Sequence, residues 1–264
     1  RAITQDDAHV FCRKDQAGEE MGKIWDIVEV FYGAAGFSLS LRLSLSDPKD
    51  MKPYLGDRKT WEDAENRLRK LIKERKAKVE EAVGEAAFYG PKIDFMAKDS
   101  LGREWQVATI QLDMNMPERF NLFCINEKGK EERIVMIHAA IMGSIERYLS
   151  ILIEHYAGAF PLWLSPVQVA VLPVGERQAS EAKKFAEELK EADIRAELSD
   201  ANETLGKRIR DAELQKVPYI AVIGEKEAGT GSVSVRSRKK GQEGEVRIEK
   251  FKERLLEEIK KKTL

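Results

Sequence analysis

The hydrophobic pattern changes character at residues 158–166, GAFPLWLSP, a stretch with two prolines and no charged residue. Before it, apolar residues alternate with polar ones. FSLSLRLSLS, 37–46, is the clearest case, and it predicts a strand with one face buried. PKIDFMAK and EWQVATIQLD flank DSLG, residues 99–102, as the two arms of a hairpin. Residues 2–12 and 133–142 read as further strands. Between the strands lie helical spacings: Met21, Ile24, Trp25, Val28 and Phe31 within 17–32, then Trp61, Ala64, Leu68 and Leu71 in a helix opened by Thr60 with Asp63 in capping-box fashion. Ser144 caps a third helix, with Ile145, Tyr148, Leu149, Leu152 and Tyr156 as its buried positions. This half is an α+β domain with an antiparallel sheet, residues 1–160.

After the break the strands are continuously apolar and alternate with helices. VQVAVLPV is followed by a helix at 178–192 that buries Ala182, Phe185, Ala186 and Leu189, then by the strand IRAELS and a helix at 203–215. VPYIAVIG, GSVSVRSR and a helix from about residue 249 complete the chain. Strands buried on both faces belong to three-layer folds. Residues 166–264 are therefore expected to form an α/β domain with a mixed, mostly parallel sheet.

No apolar run approaches the length of a membrane span. Two cysteines, Cys12 and Cys124, make no disulfide framework and fit a reducing, cytoplasmic setting. The net charge is −1, so any nucleic-acid contact needs a local basic surface. GKRIR at 206–210 and RSRKKG at 236–241 are such clusters, although charge runs are most often solvated faces, as LLEEIKKKTL at the end surely is.

On a strand, Gln5, Asp7 and His9 share one face, while Asp6, Ala8, Val10 and Cys12 share the other. The bland reading of the first set is an exposed sheet face. Zinc held by His9 and Cys12 is disfavoured, because the two point to opposite faces. His138 sits among Ile134, Met136 and Ala140, where a lone histidine is usually structural. Two histidines on separate strands nevertheless allow a metal pair, but zinc normally takes three protein ligands in a working site and the chain supplies two good candidates. His155, on the following helix, faces solvent or caps its end. Arg147 lies in the first turn of that helix, where a cation is disfavoured by the dipole unless it reaches an anion. Its bland reading is a surface arginine.

Taken together, QDDAH at 5–9, AFYGPKIDF at 87–95, QVATIQLD at 106–113, VMIHAAIMGSIER at 135–147 and FPLWLSPVQV at 160–169 resemble the threonyl-tRNA synthetase family of class II aminoacyl-tRNA synthetases. The segments match in order across the whole chain. The resemblance implies a class II catalytic domain followed by an anticodon-binding domain, and an enzyme that activates threonine with ATP and transfers it to tRNA(Thr). It implies that His9 and His138 are two of three zinc ligands, the third a Cys upstream. Asp7 becomes the carboxylate facing the threonine hydroxyl, with Gln5, Tyr89 and Gln111 lining the amino-acid pocket. Lys92, Gln106, Thr109, Ser144 and Arg147 become the ATP side, with Arg147 and Lys92 as catalytic residues and Mg2+ arriving with ATP. Asn202, Glu203, Glu227 and Arg236 fall where the family contacts anticodon bases. Thr204 departs from the basic residue expected at its place.

The resemblance carries one geometric tension. In a regular strand Gln106 and Gln111 point to opposite faces, yet both belong near the site; a bulge between them, or a site at a sheet edge, would reconcile this. The family's zinc-binding Cys, its α-phosphate arginine and its homodimer segment lie upstream of RAITQDD, so an upstream part is expected and the chain alone is expected to bind zinc poorly. Two rival readings remain open: a paralogue or fragment that binds tRNA without activating threonine, and a synthetase for proline or histidine.

Overall fold

The computed structural model describes residues 2–264. The chain divides into two compact units, Arg1–Glu154 and His155–Leu264.

The first unit contains β1 (Ala8–Arg13), α1 (Ala17–Ala34), β2 (Leu39–Leu45), α2 (Arg58–Glu74), β3 (Glu80–Val83), β4 (Lys92–Lys98), β5 (Glu104–Asp113), the short α3 (Met116–Arg119), β6 (Phe123–Ile125), β7 (Glu131–Ala140) and the start of α4 (Ile145–Tyr156). Its seven-stranded sheet runs β1-β7-β5-β4-β2-β3, with β6 pairing with β7. All pairs are antiparallel except β2 with β3.

The two faces of this sheet differ because the strands alternate. Ile93, Phe95, Ala108, Ile110, Leu112, Ile137 and Ala139 are buried on one face, where the Trp25 ring of α1 meets Phe95 edge-on at 5.1 Å. Burying a side chain of this size contributes roughly 1.5–3 kcal/mol. The other face carries the polar residues of β4, β5 and β7, and it holds the candidate site.

Four local readings change. Regular β1 pairing begins at Ala8, and before it only Gln5 makes an isolated bridge, to Ser144. The cap of α2 is Asp57, whose carboxylate accepts from the Thr60 N–H at 2.8 Å, so Thr60 lies inside the first turn. Leu149 is exposed on α4, whose buried positions are Tyr148, Ile151 and Leu152. The short strands β3 and β6 had no alternation long enough to announce them.

The second unit contains β8 (Val169–Pro173), α5 (Ala179–Glu191), β9 (Ala196–Leu198), α6 (Leu205–Leu214), β10 (Tyr219–Ile223), α7 (Glu225–Thr230), β11 (Ser232–Ser237), β12 (Gly241–Arg247) and α8 (Ile248–Lys260). The sheet order is β12-β11-β10-β8-β9. β9, β8 and β10 are parallel, and β11 and β12 join antiparallel. One face packs Val169, Val171 and Ala221 against Phe185, Leu189, Phe251 and Leu255. The other packs Ala170, Leu172 and Ile220 against Ala212 and Val217. Coverage on both faces is why all five residues of β8 are buried and why the strand reads as an unbroken apolar run.

Candidate functional site

A straight row of side chains crosses the open face of the first sheet. Register pairs Lys92 with Gln111, Gln111 with His138, and His138 with His9. Directly paired residues share a face, so four strands contribute one polar line roughly 14 Å long at ordinary strand spacing.

At the β1 end the His9 and His138 rings meet edge-on with centroids 4.6 Å apart. His138 Nε2 lies 3.0 Å from Asp113 Oδ2. Asp113 is fully buried, and its other oxygen accepts the N–H groups of Asn115 and Met116 at 2.9 Å each. A carboxylate on Nε2 turns the ring and leaves Nδ1 as the nitrogen for a further ligand. The Tyr89 ring packs 5.0 Å from that of His138. Burial first, and then the charges of Asp113 and Asp7, push the Tyr89 hydroxyl above its ordinary range. Asp7 and His9 are exposed. Gln111 is buried and donates to the Gly90 carbonyl at 2.9 Å. Gly90 can be nothing larger, because a Cβ there would stand 2.4 Å from the Leu112 carbonyl oxygen.

Two imidazoles thus meet edge-on, with a carboxylate behind one of them. Among the described residues no group of three or more His, Cys, Asp or Glu side chains is placed to hold a metal. The donor set fits two ligands of a site that needs at least one more. Cys12 does not supply it: it is buried, three positions along β1 from His9.

The Lys92 end of the row is organised by Asp94, which sequence reasoning missed. This carboxylate is 2% exposed. Its Oδ2 accepts from Ser44 Oγ at 2.8 Å and pairs with the Lys92 ammonium. Its Oδ1 accepts from Gln106 Nε2 at 2.8 Å and from Thr109 Oγ1 at 2.9 Å. A carboxylate in the centre of a strand as apolar as KIDFMAK was the available signal, since such a charge persists only if it is paired.

The register of β5 resolves the Gln106–Gln111 tension. Phe95 pairs with Ala108 and Met96 with Gln106, so Val107 is the extra residue of a bulge. Gln106, Thr109 and Gln111 therefore share one face. The Tyr32 hydroxyl of α1 pins this bulge, lying 3.1 Å from the Val107 carbonyl and 2.9 Å from that of Ile141.

Ile141 opens the turn into α4. Asp6 accepts the N–H groups of Ile141, at 2.7 Å, and of Met142 and Gly143. Gly143 sits at φ +66°, in the left-handed region that glycine tolerates best. The turn presents Ser144, whose Oγ accepts from the Arg147 N–H at 3.4 Å as the helix cap. The Arg147 guanidinium reaches back to the Gln106 carbonyl at 3.3 Å and lies 5.9 Å from the centroid of the Trp105 ring. Gln5 joins this corner through its bridge to Ser144. His155 is exposed in the last turn of α4.

In the second unit, Asn202 and Glu203 follow β9, and Glu227 lies in the first turn of α7, after β10. These are the C-terminal ends of parallel strands, where open α/β sheets form crevices. Glu203 pairs with Lys207, and Glu227 folds back onto the Gly224 N–H at 3.1 Å. Arg236 stands apart: it pairs with Ile220 in register and with Glu213 at 2.7 Å. Thr204 is the cap of α6, accepting from the Lys207 N–H, which gives a local reason for a hydroxyl there. Two members of the basic clusters have structural work. Arg208 is buried and donates to the carbonyls of Glu203 and Val174. Arg238 donates to those of Ala159 and Phe160.

Residues 1–156 match the tRNA synthetase class II core domain (G, H, P, S and T), and residues 168–258 match the anticodon binding domain. The chain belongs to the class II aminoacyl-tRNA synthetases. Along its whole length it is similar to threonyl-tRNA synthetases. It is 48% identical over 265 residues to a threonine--tRNA ligase of Thermus thermophilus, and 45% identical over 260 residues to one of Phocaeicola vulgatus. These matches cover 100% and 98% of this chain and 40% of each relative, so the chain spans about two-fifths of their length. Among solved structures it is similar to the RNA binding domain of threonyl-tRNA synthetase from Cryptosporidium parvum, with a TM-score of 0.90, 37% identity, and coverage of 97% of this chain and 64% of that one. A putative threonyl-tRNA synthetase from Aeropyrum pernix aligns with a TM-score of 0.79 at 28% identity, covering 100% and 64% of the two chains. Among the described residues no helix is long and apolar enough to cross a membrane.

Proposed function

We propose that this chain carries the threonine- and ATP-binding face and the anticodon-binding domain of a cytoplasmic, homodimeric threonine–tRNA ligase. The observation that carries the reading is the cross-strand row Lys92–Gln111–His138–His9, which sets an imidazole pair at one end and an ammonium at the other.

His9 and His138 would hold a zinc ion together with a ligand from elsewhere in the protein. Bound there, zinc would supply a Lewis-acidic anchor for the amino and hydroxyl groups of threonine. Asp7, two residues before His9, would accept a hydrogen bond from the threonine hydroxyl, with Gln5, Tyr89 and Gln111 lining the pocket. Valine has no hydroxyl to offer and leaves these polar groups unpaired, a mismatch that discriminates by about 10⁴-fold or more. Serine keeps the hydroxyl and lacks one methyl, a difference of only about 1–3 kcal/mol, so serine errors need separate correction.

ATP enters as its magnesium complex on the side of Lys92, Gln106, Thr109, Ser144 and Arg147. The threonine carboxylate attacks the α-phosphate in line, giving threonyl-adenylate and pyrophosphate. Lys92 and Arg147 offset the charge that develops on the phosphate oxygens. Asn202, Glu203, Glu227 and Arg236 are the proposed anticodon contacts on tRNA(Thr).

Threonine-dependent ATP–pyrophosphate exchange by the enzyme carrying this sequence tests the reading. Exchange is expected with threonine, weaker exchange with serine, and essentially none with valine. Exchange with proline or histidine instead, or tRNA binding with no exchange at all, contradicts it.

A further inference from the structure

We infer that Asp94 is a positioning residue that fixes the amide of Gln106, so that its carbonyl oxygen faces the bound nucleotide and accepts a hydrogen bond from it; this rests on the ATP reading above.

The argument is an inventory of donors and acceptors. Asp94 pairs with Lys92, and a carboxylate so paired only accepts. Its two oxygens take Ser44, Lys92, Gln106 and Thr109, and no site on it remains for a ligand. The Thr109 hydroxyl gives its one proton to Asp94 and accepts from Gln106 Nε2 at 2.8 Å. The Gln106 Nε2 stands within hydrogen-bond reach of both Asp94 and Thr109, so the NH2 end of the amide is turned toward them. Oε1 is what the side chain has left to offer. An amide can turn over by rotation about its last bond, and an acceptor-only carboxylate decides which way it stands. Gln106 therefore selects a hydrogen-bond donor. On ATP the donors are the ribose hydroxyls and the 6-amino group of adenine. The bulge at Val107 is part of the device, because without it Gln106 and Thr109 would lie on opposite faces.

The test measures kcat/KM in threonine-dependent pyrophosphate exchange with ATP, 2′-deoxy-ATP, 3′-deoxy-ATP and the triphosphate of purine riboside. In the wild type one analogue lacks the donor that Gln106 accepts, and it should be about five- to tenfold poorer than ATP, the effect of one ordinary hydrogen bond. Asp94→Asn is isosteric, but its amide can donate or accept, so Gln106 is released to turn over. That variant should lose the discrimination against the same analogue, beyond any uniform fall in activity. Ser44→Ala removes a donor from the same carboxylate on the side away from Gln106 and should keep it. If Asp94→Asn does not fold, Gln106→Leu should abolish the discrimination. An active Asp94→Asn enzyme, or failing that Gln106→Leu, that discriminates as the wild type does overturns the inference alone. No threonine-dependent exchange in the wild type overturns the ATP reading and the inference with it.

Discussion

Gln106 and Thr109 lie three residues apart in one strand and still share a face of the sheet, because Val107 bulges out of the register between them. Their side chains meet at 2.8 Å over a carboxylate from the neighbouring strand. The bulge is held by Tyr32, whose hydroxyl touches both the Val107 carbonyl and the turn that leads to Arg147.

Tyr32→Phe keeps the ring in its buried aromatic cluster and removes this tie. Leaving two carbonyls without their shared donor is expected to cost about 1–3 kcal/mol. Urea denaturation should show a lower midpoint with an unchanged slope. An unaltered midpoint would mean that the bulge is held by the ladder alone.

Asp99 gives a pH dependence with a definite sign. Burial alone would raise its carboxyl, but hydrogen bonds from Trp105 Nε1, from Arg103 and from the Leu101 N–H hold it down to about 2. The unfolded chain, with an ordinary carboxyl, takes up its proton first as the pH falls. The stabilisation from Asp99 is therefore complete at neutral pH and lost as pH drops from the ordinary carboxylate range toward about 2. Compared with Asp99→Asn, the wild type should have the higher Tm at pH 7, and the gap should narrow below about pH 4 and close near about pH 2. A gap of constant size across that range would contradict the assignment.

The sequence made some of this legible and not the rest. Strict alternation in FSLSLRLSLS and continuous apolar runs in VAVLP and YIAVI mark strands that are buried on one face or on both, because burial is what writes the pattern. The convergence of His9 and His138 could be anticipated only through the family resemblance, since strand register is a long-range property. Asp94 and Asp113 were missed for a related reason: a buried carboxylate is recognised by its donors, and those come from β2, β5 and β7. Thr60 was mistaken for the cap of α2 because Asp57, just before it, offers the same chemistry. Arg208 read as a surface cation until the carbonyls around it were visible.

Arg236 is the most separable of the proposed tRNA contacts. Its partner Glu213 belongs to the same unit, and the imidazole pair belongs to the other. Arg236→Ala is expected to weaken binding of tRNA(Thr) by about tenfold, the effect of one lost charge-assisted contact, and to leave threonine-dependent pyrophosphate exchange unchanged. Filter binding and exchange assays on the same preparation measure both. An equal fall in the two would show that the second unit does more than bind RNA.

The central claim is that the imidazoles of His9 and His138 bind one cation. Zinc content of the purified enzyme carrying this sequence, with X-ray absorption at the zinc edge, measures it directly. The account predicts one zinc per chain with two imidazole nitrogens at about 2.0–2.1 Å, and loss of that metal in both His9→Ala and His138→Ala. Full zinc occupancy in either variant, or a wild-type zinc shell without two imidazoles, would contradict it.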